Sequence, residues 1–198
     1  MKFFKPKFWD KNEISLFSIL LFPISLLIKL LSFFKRSLTK THKCSIPVIC
    51  VGNIYLGGTG KTPLCIELHF LLKNLNRNPV FIRKKYNSFQ DETNLQKQVG
   101  SVYESDRRIN ALKEAIHNKA DVAILDDGFQ DFSINKNLSI VCFNEKQWIG
   151  NGFVIPAGPL REDLSALNRA SCVIINGKKN TNIENEILKK NKDIKIFY

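Results

Sequence analysis

The sequence has few residues that could form a metal centre or a disulfide framework. Its five cysteines are scattered with no two at CxxC spacing, and its three histidines are isolated from one another. A zinc knuckle needs ligand pairs at short spacing, so this kind of site is not expected. An odd number of cysteines without a pairing pattern is typical of a protein in a reducing cytoplasm.

Acidic residues are also scarce. The 18 Asp and Glu residues stand against 30 Lys and Arg residues, which gives a formal net charge of +12. Such a surplus favours an anionic partner, which can be a nucleic acid, anionic lipid head groups or a phosphorylated substrate. The charge alone does not choose among the three; we expect a phosphorylated substrate and a membrane surface, and no nucleic acid. The alternative explanation of the basic surplus is an AT-rich genome that overuses Lys and Asn.

The N-terminal apolar run lacks the small residues that would follow it in a cleaved signal peptide. Pro23 interrupts the run. The run is also a little shorter than the roughly 20 apolar residues that a spanning helix needs, because the charged Lys29 ends it. Basic residues flank both ends, and nearby Phe and Trp side chains anchor well at head-group depth. We predict a membrane-associated helix in residues 1–43, preferably lying in the interface. The alternatives are a single spanning helix and an apolar helix packed inside the protein.

Residues 44–198 alternate between two patterns. Short apolar runs typical of buried strands occur at 46–51, 79–82, 122–125, 138–143 and 172–175. Helical spacing of apolar residues occurs at 61–75, and helix-like segments at 106–118 and 162–170. This alternation predicts an α/β domain, a three-layer P-loop NTPase-like fold with a mostly parallel sheet.

A glycine-rich loop joins the first predicted strand to the first helix of this domain. Its glycines allow backbone N–H groups to approach phosphate oxygens, and the helix N-terminus favours negative charge. Lys61 can reach the β- and γ-phosphates, and the Thr62 hydroxyl can bind Mg²⁺. The usual pattern begins with a glycine where this chain has Tyr55, so the loop is a variant P-loop. The residues predicted to contact the nucleotide here are Tyr55, Leu56, Gly57, Gly58, Thr59, Gly60, Lys61 and Thr62.

A second motif follows the apolar run at 122–125. Asp126 and Asp127 come directly after it, where ligands of open α/β sheets bind. Paired carboxylates at such a strand end hold Mg²⁺ directly or through water. The alternative is a simple Asp-Asp-Gly turn.

Three stretches together resemble one family. Residues 51–63 (VGNIYLGGTGKTP), 125–130 (LDDGFQ) and 150–162 (GNGFVIPAGPLRE) are similar, in this order, to motifs of the tetraacyldisaccharide 4′-kinases. The resemblance extends from about residue 8 to 176. It implies an ATP- and Mg²⁺-dependent kinase at the cytoplasmic face of the bacterial inner membrane. Such an enzyme phosphorylates the 4′-hydroxyl of an acylated disaccharide 1-phosphate in lipid A biosynthesis.

The resemblance also implies roles for single residues. Thr62, Asp127 and Glu162 look like the metal-side residues, with Asp126 beside them. Gln130 and Arg161 match positions that line the nucleotide site. Asp91 is the candidate catalytic base, because residues 90–93 (QDET) come nearest to the family's Gly-Asp-Glu-Pro motif. The alternative is that Asp91 is a solvated loop charge.

The sequence departs from the family in several places. Residues 82–87 (IRKKYN) lack the glycines of the family's Ser-Arg-Gly-Tyr-Gly stretch, and Asp131 replaces a histidine. The family continues for another lobe that carries a His paired with the catalytic Asp, and we expect this lobe to be missing or supplied by a partner chain. A membrane-associated P-loop ATPase or nucleotide switch is the rival interpretation, and a degenerate chain is the third. Under the rival interpretation, residues 150–162 have no explanation.

Overall fold

The computed structural model describes residues 5–10, 14–85 and 90–198. Part of the 82–87 stretch, namely Tyr86 and Asn87, therefore lies outside the described residues. The helices are α1 (Leu16–Leu38), α2 (Lys61–Asn74), α3 (Gln90–Val99), α4 (Arg108–His117) and α5 (Thr181–Leu188), with 3-10 helices at Lys7–Trp9 and Leu164–Arg169. The strands are β1 (Val48–Gly52), β2 (Pro79–Lys84), β3 (Val102–Ser105), β4 (Val122–Asp126), β5 (Leu138–Asn144), β6 (Cys172–Asn176) and β7 (Lys195–Phe197).

The strands form one seven-stranded sheet in the order β3-β2-β4-β1-β5-β6-β7. Strand β1 pairs in parallel with both β4 and β5, and β2 pairs in parallel with β3 and β4. All five residues of β4 are buried, as expected for an apolar run in the middle of a parallel sheet. Helix α2 packs on β1, β2 and β4, and α4 packs on β2 and β3. The predicted α/β class with a mostly parallel sheet and an N-terminal apolar helix is confirmed.

One predicted helix has a different geometry in the structure. The segment 162–170 contains only the 3-10 helix Leu164–Arg169, which begins where the Asp163 side chain accepts a hydrogen bond from Ser165 N. Two further helices and two further strands were not predicted: α3 and β3, which lie between β2 and α4 in the chain, and α5 and β7, which follow β6. These elements are short and each contains only a few apolar residues, so the sequence marks them weakly.

By its internal contacts the chain divides into two compact units. The first unit comprises Met1–Thr39, Ile54–Thr59 and Phe143–Tyr198, and the second comprises Lys40–Asn53 and Gly60–Cys142. The predicted division into a membrane-associated helix (residues 1–43) and a P-loop kinase core (residues 44–198) stays a prediction.

In the first unit, the buried side chains of α1 are polar, and the Phe22 ring packs on Phe153 with the ring centres 5.7 Å apart. The two buried residues of α1 are Ser18 and Ser25. Ser18 Oγ lies 3.0 Å from Asn151 Nδ2, and Ser25 Oγ donates to the Val154 carbonyl at 2.8 Å. The backbone N–H of Ala157 donates to Ser25 Oγ at 3.0 Å. Hydrogen bonds therefore attach α1 to the 150–162 loop.

The opposite face of α1 is apolar and exposed. By length and composition the helix could cross a membrane, and 11% of an 18-residue window within it is buried. The helix is therefore not packed inside the part of the protein that the structure describes. Thirteen large apolar side chains of α1 are exposed, and seven of them, spaced three or four residues apart, lie on the side opposite Ser18 and Ser25: Phe17, Leu20, Ile24, Leu27, Leu31, Phe34 and Leu38. We call these seven residues the apolar stripe.

Candidate nucleotide-binding site

The P-loop follows β1 and ends at the first residue of α2. Gly60 is the N-cap of α2 and has a left-handed backbone (φ 88°), so Lys61 and Thr62 form the first helical turn. Pro63 is tolerated there because the first-turn N–H groups have no partner within the helix. Gly58 has no atom within 4 Å of the position where a Cβ would be, so one side of the loop is open. The loop thus has the form that the sequence predicted.

Gly52, the last residue of β1, allows a close approach of the acidic motif. A Cβ at this position would lie 2.5 Å from Phe129 Cβ and 3.1 Å from Phe129 N. Gly52→Ala is therefore expected to destabilise the fold by about 2 kcal/mol, the usual cost of overpacking a rigid core. Thermal unfolding of this variant beside Gly58→Ala tests the prediction, because a Cβ at Gly58 meets open space. Equal melting temperatures for the two variants would contradict it.

In the second unit, the structure brings Lys61 and Asp127 together. Lys61 Nζ lies 3.8 Å from Asp127 Oδ1, and both side chains are partly shielded from solvent. The strand register explains this placement, because Val51 is paired with Asp126 and the N–H of Asp127 donates to the Val51 carbonyl at 2.9 Å. Asp127 has a left-handed backbone (φ 54°), which Asp tolerates better than most residues. The turn directs the chain out of the strand directly beside the P-loop lysine.

Asp126 is almost completely buried, with 2% of its surface exposed. Its Oδ2 is 2.9 Å from Arg83 Nη1 and accepts a hydrogen bond from Gln96 Nε2, also at 2.9 Å. Burial raises the pKa of this carboxyl, while the positive charges of Arg83 and Lys61 oppose the increase. Its other oxygen, Oδ1, has no hydrogen-bond partner among the described residues. Two side chains therefore hold one oxygen of the carboxylate, and the other oxygen is available to a further partner.

Arg83, at the end of β2, connects this carboxylate to α3. Its Nη2 donates to Glu92 Oε2 at 2.9 Å, and its Nη1 is 3.2 Å from Gln96 Oε1. Burial lowers the pKa of Arg83, but the neighbouring Asp126 and Glu92 outweigh burial and raise it overall. The arginine therefore remains charged inside the protein. Arg83 was not among the predicted site residues, although a charged residue at the end of a buried apolar run is a signal that the sequence contains.

Asp91 lies in the first turn of α3 rather than in a loop. Its side chain is exposed, and its neighbour Glu92 is the residue that Arg83 holds. No hydrogen bond or ion pair joins the Asp91 carboxylate to another described residue. Its position is therefore fixed through the helix, while its carboxylate faces solvent.

Two further polar residues support the acidic turn. Arg108, which sequence reasoning missed, donates through Nη2 to the Asp127 carbonyl at 2.8 Å and is 3.4 Å from Asp131 Oδ2 through Nη1. Asp131 thus has a structural partner in the place of the family's histidine. Gln130 donates through Nε2 to the Asn53 carbonyl at 2.9 Å, which attaches the acidic turn to the residue that follows β1.

In the first unit, the start of the P-loop is joined to the 150–162 loop. The N–H of Leu56 donates to the Pro159 carbonyl at 2.8 Å, and the N–H of Arg161 donates to the Ile54 carbonyl at 2.7 Å. A single β-bridge pairs Tyr55 with Leu160. These bonds explain why the Gly/Pro-rich loop accompanies the P-loop motif in this sequence.

Glu162, a predicted metal ligand, forms an ion pair in this unit. Arg169 Nη2 lies 2.9 Å from Glu162 Oε1 and 2.7 Å from Oε2. Both side chains are about four-fifths buried. Arg169 belongs to the 3-10 helix, which therefore orients the Glu162 carboxylate.

The residues at the P-loop fit a magnesium ion that is bound with nucleotide. No group of three His, Cys, Asp or Glu side chains forms a ready-made cage within the described ranges. Mg²⁺ does not require such a cage, because it keeps several waters and takes one or two carboxylates plus phosphate oxygens. The available Oδ1 of Asp126, the neighbouring Asp127 and the Thr62 hydroxyl are oxygen donors of the right kind.

Comparison with known proteins gives consistent matches. The family profile described as tetraacyldisaccharide-1-P 4′-kinase matches residues 17–101 and 91–197. The tetraacyldisaccharide 4′-kinase of Pelagibacter ubique (strain HTCC1062) is 44% identical over 198 residues, which cover 99% of this chain and 63% of the relative. The enzyme of the same name from Rickettsia bellii (strain OSU 85-389) is 34% identical, over 92% of this chain and 62% of the relative.

Solved structures agree with this result. The crystal structure of LpxK from Aquifex aeolicus in complex with ATP matches with a TM-score of 0.72 and 26% identity, over 90% of this chain and 63% of that chain. The signal recognition particle receptor FtsY from Elizabethkingia anophelis matches with a TM-score of 0.52 at 9% identity, which shows the fold alone. The chain spans somewhat less than two thirds of the length of the curated relatives it matches.

Proposed function

Because the chain belongs to the tetraacyldisaccharide-1-P 4′-kinase family, we propose that it takes part in ATP-dependent phosphorylation of the 4′-hydroxyl of a lipid A disaccharide 1-phosphate. The observation that carries the proposal is the placement of Lys61 beside Asp127, at the carboxyl ends of parallel strands and at the start of α2. Phosphoryl transfer depends mainly on positioning and on charge neutralisation, and this arrangement supplies both.

Each residue at the P-loop then has a separate task. The backbone of the loop and Lys61 would hold the phosphates of ATP, and Thr62 and Asp127 would hold Mg²⁺. When bound, the ion would neutralise charge on the phosphate oxygens. Asp126 supports this site from the buried side. Gln130 holds the acidic turn against Asn53, the residue that follows β1.

Asp91 is the proposed general base. A carboxylate at the exposed start of α3 is accessible to a sugar hydroxyl. It would accept the hydroxyl proton as the oxygen attacks the γ-phosphorus, while the bond from that phosphorus to the bridging oxygen breaks and ADP leaves. Arg161 and Glu162, on the loop bonded to Ile54, are proposed to line the nucleotide site and to assist the metal. Glu162 would have to share its carboxylate between Arg169 and that role.

A transfer assay tests this function. Purified protein in detergent would be incubated with ATP, Mg²⁺ and lipid A disaccharide 1-phosphate, and the labelled lipid product measured. Transfer that requires both Mg²⁺ and the acceptor supports the proposal. ATP hydrolysis that does not require the acceptor would instead favour a P-loop ATPase or nucleotide switch. ATP binding without transfer would mean that the reaction needs residues from another chain or from the rest of a longer protein.

The apolar stripe on α1 is proposed to lie in the cytoplasmic leaflet of the inner membrane. A water-soluble helix normally buries its apolar face, whereas the two buried residues of α1 are Ser18 and Ser25. The basic surplus of the chain favours anionic head groups. The acylated acceptor would be reached from the same surface.

Charged residues in the apolar stripe are expected to abolish this attachment. Leu27→Asp combined with Leu31→Asp places two carboxylates where acyl chains would lie, and co-sedimentation with anionic vesicles should fall at least about tenfold. The matched control is Leu71→Asp with Leu75→Asp, two exposed leucines at the end of α2. Equal losses for both pairs would show a general charge effect and contradict the proposal.

A further inference from the structure

The residue that replaces the first P-loop glycine has a fully buried side chain. Tyr55 packs with Val154 and Leu160, and the partly buried Ile149 lies against this group. Most P-loops have no side chain at this position, so the aromatic ring needs a dedicated space. The 150–162 loop provides this space within the first unit.

The ring of Tyr55 lies directly against the phosphate loop. A Cβ at Gly57 would be 3.2 Å from Tyr55 Cε1 and 3.5 Å from Cδ1. Gly57 has φ +155°, a backbone conformation that L-residues rarely adopt. A displacement of the ring would therefore move the backbone of the first glycine of the loop.

The hydroxyl of Tyr55 is held by the N-terminal segment, by which we mean the residues Lys5–Asp10. It donates to Asp10 Oδ1 at 2.9 Å and accepts a hydrogen bond from Lys5 Nζ. Lys5 also pairs with Asp10, and its Nζ lies 4.4 Å from the centre of the Tyr55 ring. The phenol thus uses both its donor and an acceptor position.

The N-terminal segment is itself anchored. Trp9 is buried, and its Nε1 donates to the Pro156 carbonyl at 3.0 Å. The Trp9 carbonyl accepts from the N–H of Asn151 at 2.9 Å. A Cβ at Gly150 would lie only 2.3 Å from that carbonyl oxygen, so the loop can approach this closely only with glycine there. Asp10 follows directly and is therefore presented to Tyr55 from a fixed position.

We propose that Asp10 and Lys5 are positioning residues of the P-loop, which act through Tyr55 to hold Gly57 in its phosphate-binding conformation. The inference rests on the proposed function in one respect, namely that the P-loop binds ATP. It adds a task for the segment that precedes α1. Nucleotide affinity in this chain depends on residues about 45 positions before the loop.

The test is the dissociation constant of Mg²⁺–ATP, measured by calorimetry on the full chain. Tyr55→Phe removes only the hydroxyl and keeps the ring, and it is expected to weaken ATP binding about fivefold, equivalent to the loss of roughly one hydrogen bond. Asp10→Ala should act similarly, while Asp10→Asn keeps an acceptor and should restore most of the affinity. Combining Tyr55→Phe with Asp10→Ala should add little, because the two side chains form one interaction.

The matched control is Tyr198→Phe, which removes another tyrosine hydroxyl that donates to a carboxylate, here Glu184 at 2.9 Å. It should leave ATP affinity unchanged. The proposal is overturned if Tyr55→Phe binds ATP like the wild type, or if affinity falls equally in Tyr198→Phe. Absence of ATP binding in the wild type would instead overturn the proposed function, and the positioning role with it.

Discussion

Lys61→Ala is expected to lower phosphoryl transfer by about 10³-fold, the upper end of what one lost charge-stabilising donor costs in an active site. The ammonium group at the start of α2 would be removed from both the phosphates and Asp127, its neighbour at 3.8 Å. Because Lys61 has helical geometry that alanine readily adopts, the fold should be retained. Single-turnover transfer and Mg²⁺–ATP affinity are the measurements.

The control for Lys61→Ala is Lys113→Ala, which changes the net charge equally. Lys113 is an exposed residue of α4. This variant should transfer phosphate at the wild-type rate. If both variants lost activity equally, the effect would arise from the basic surplus of the chain. If Lys61→Ala kept full ATP affinity and transfer, the P-loop assignment would be wrong.

Arg83→Leu is expected to destabilise the fold by about 3–5 kcal/mol, the usual loss when one partner of a buried ion pair is removed. The variant leaves the buried Asp126 carboxylate without its cation and releases Glu92 at the start of α3. For a chain of this size the melting temperature should fall by roughly 10 °C. Thermal and urea unfolding measure both quantities.

Two variants separate charge from geometry at this position. Arg83→Lys keeps the positive charge but cannot reach Asp126 and Glu92 with two separate nitrogens, so an intermediate loss is expected. Combining Arg83→Leu with Asp126→Leu removes both charges. The double variant should regain part of the stability that Arg83→Leu alone loses. A double variant less stable than either single variant would contradict the ion-pair explanation.

The stability of this pair bears on function as well as on folding. Arg83 and Gln96 hold Asp126 Oδ2, and Glu92 is adjacent to the proposed base Asp91. The same arginine therefore fixes the acidic strand end and the start of α3. A kinase needs both at defined positions, because transfer rates depend steeply on geometry.

Strands with continuous apolar runs were predictable from the sequence. The runs that became β1, β4 and β5 are buried in the middle of the sheet, where nearly every residue must be apolar. Helix α3 and strands β3 and β7 were not predictable in this way. Their residues are half exposed or polar, so few apolar residues mark these segments in the sequence. Packing against neighbouring elements, rather than local propensity, stabilises such short segments.

The sequence by itself determined the family, the sheet class and the P-loop, because these depend on short motifs whose residues are neighbours in the chain. The tertiary structure decided which distant side chains meet. It placed Arg83 on Asp126 across 43 residues, Asp10 on Tyr55 across 45, and the polar side of α1 against the 150–162 loop. Such pairings follow from strand order and loop packing, and the spacing of residues along the chain carries no record of them.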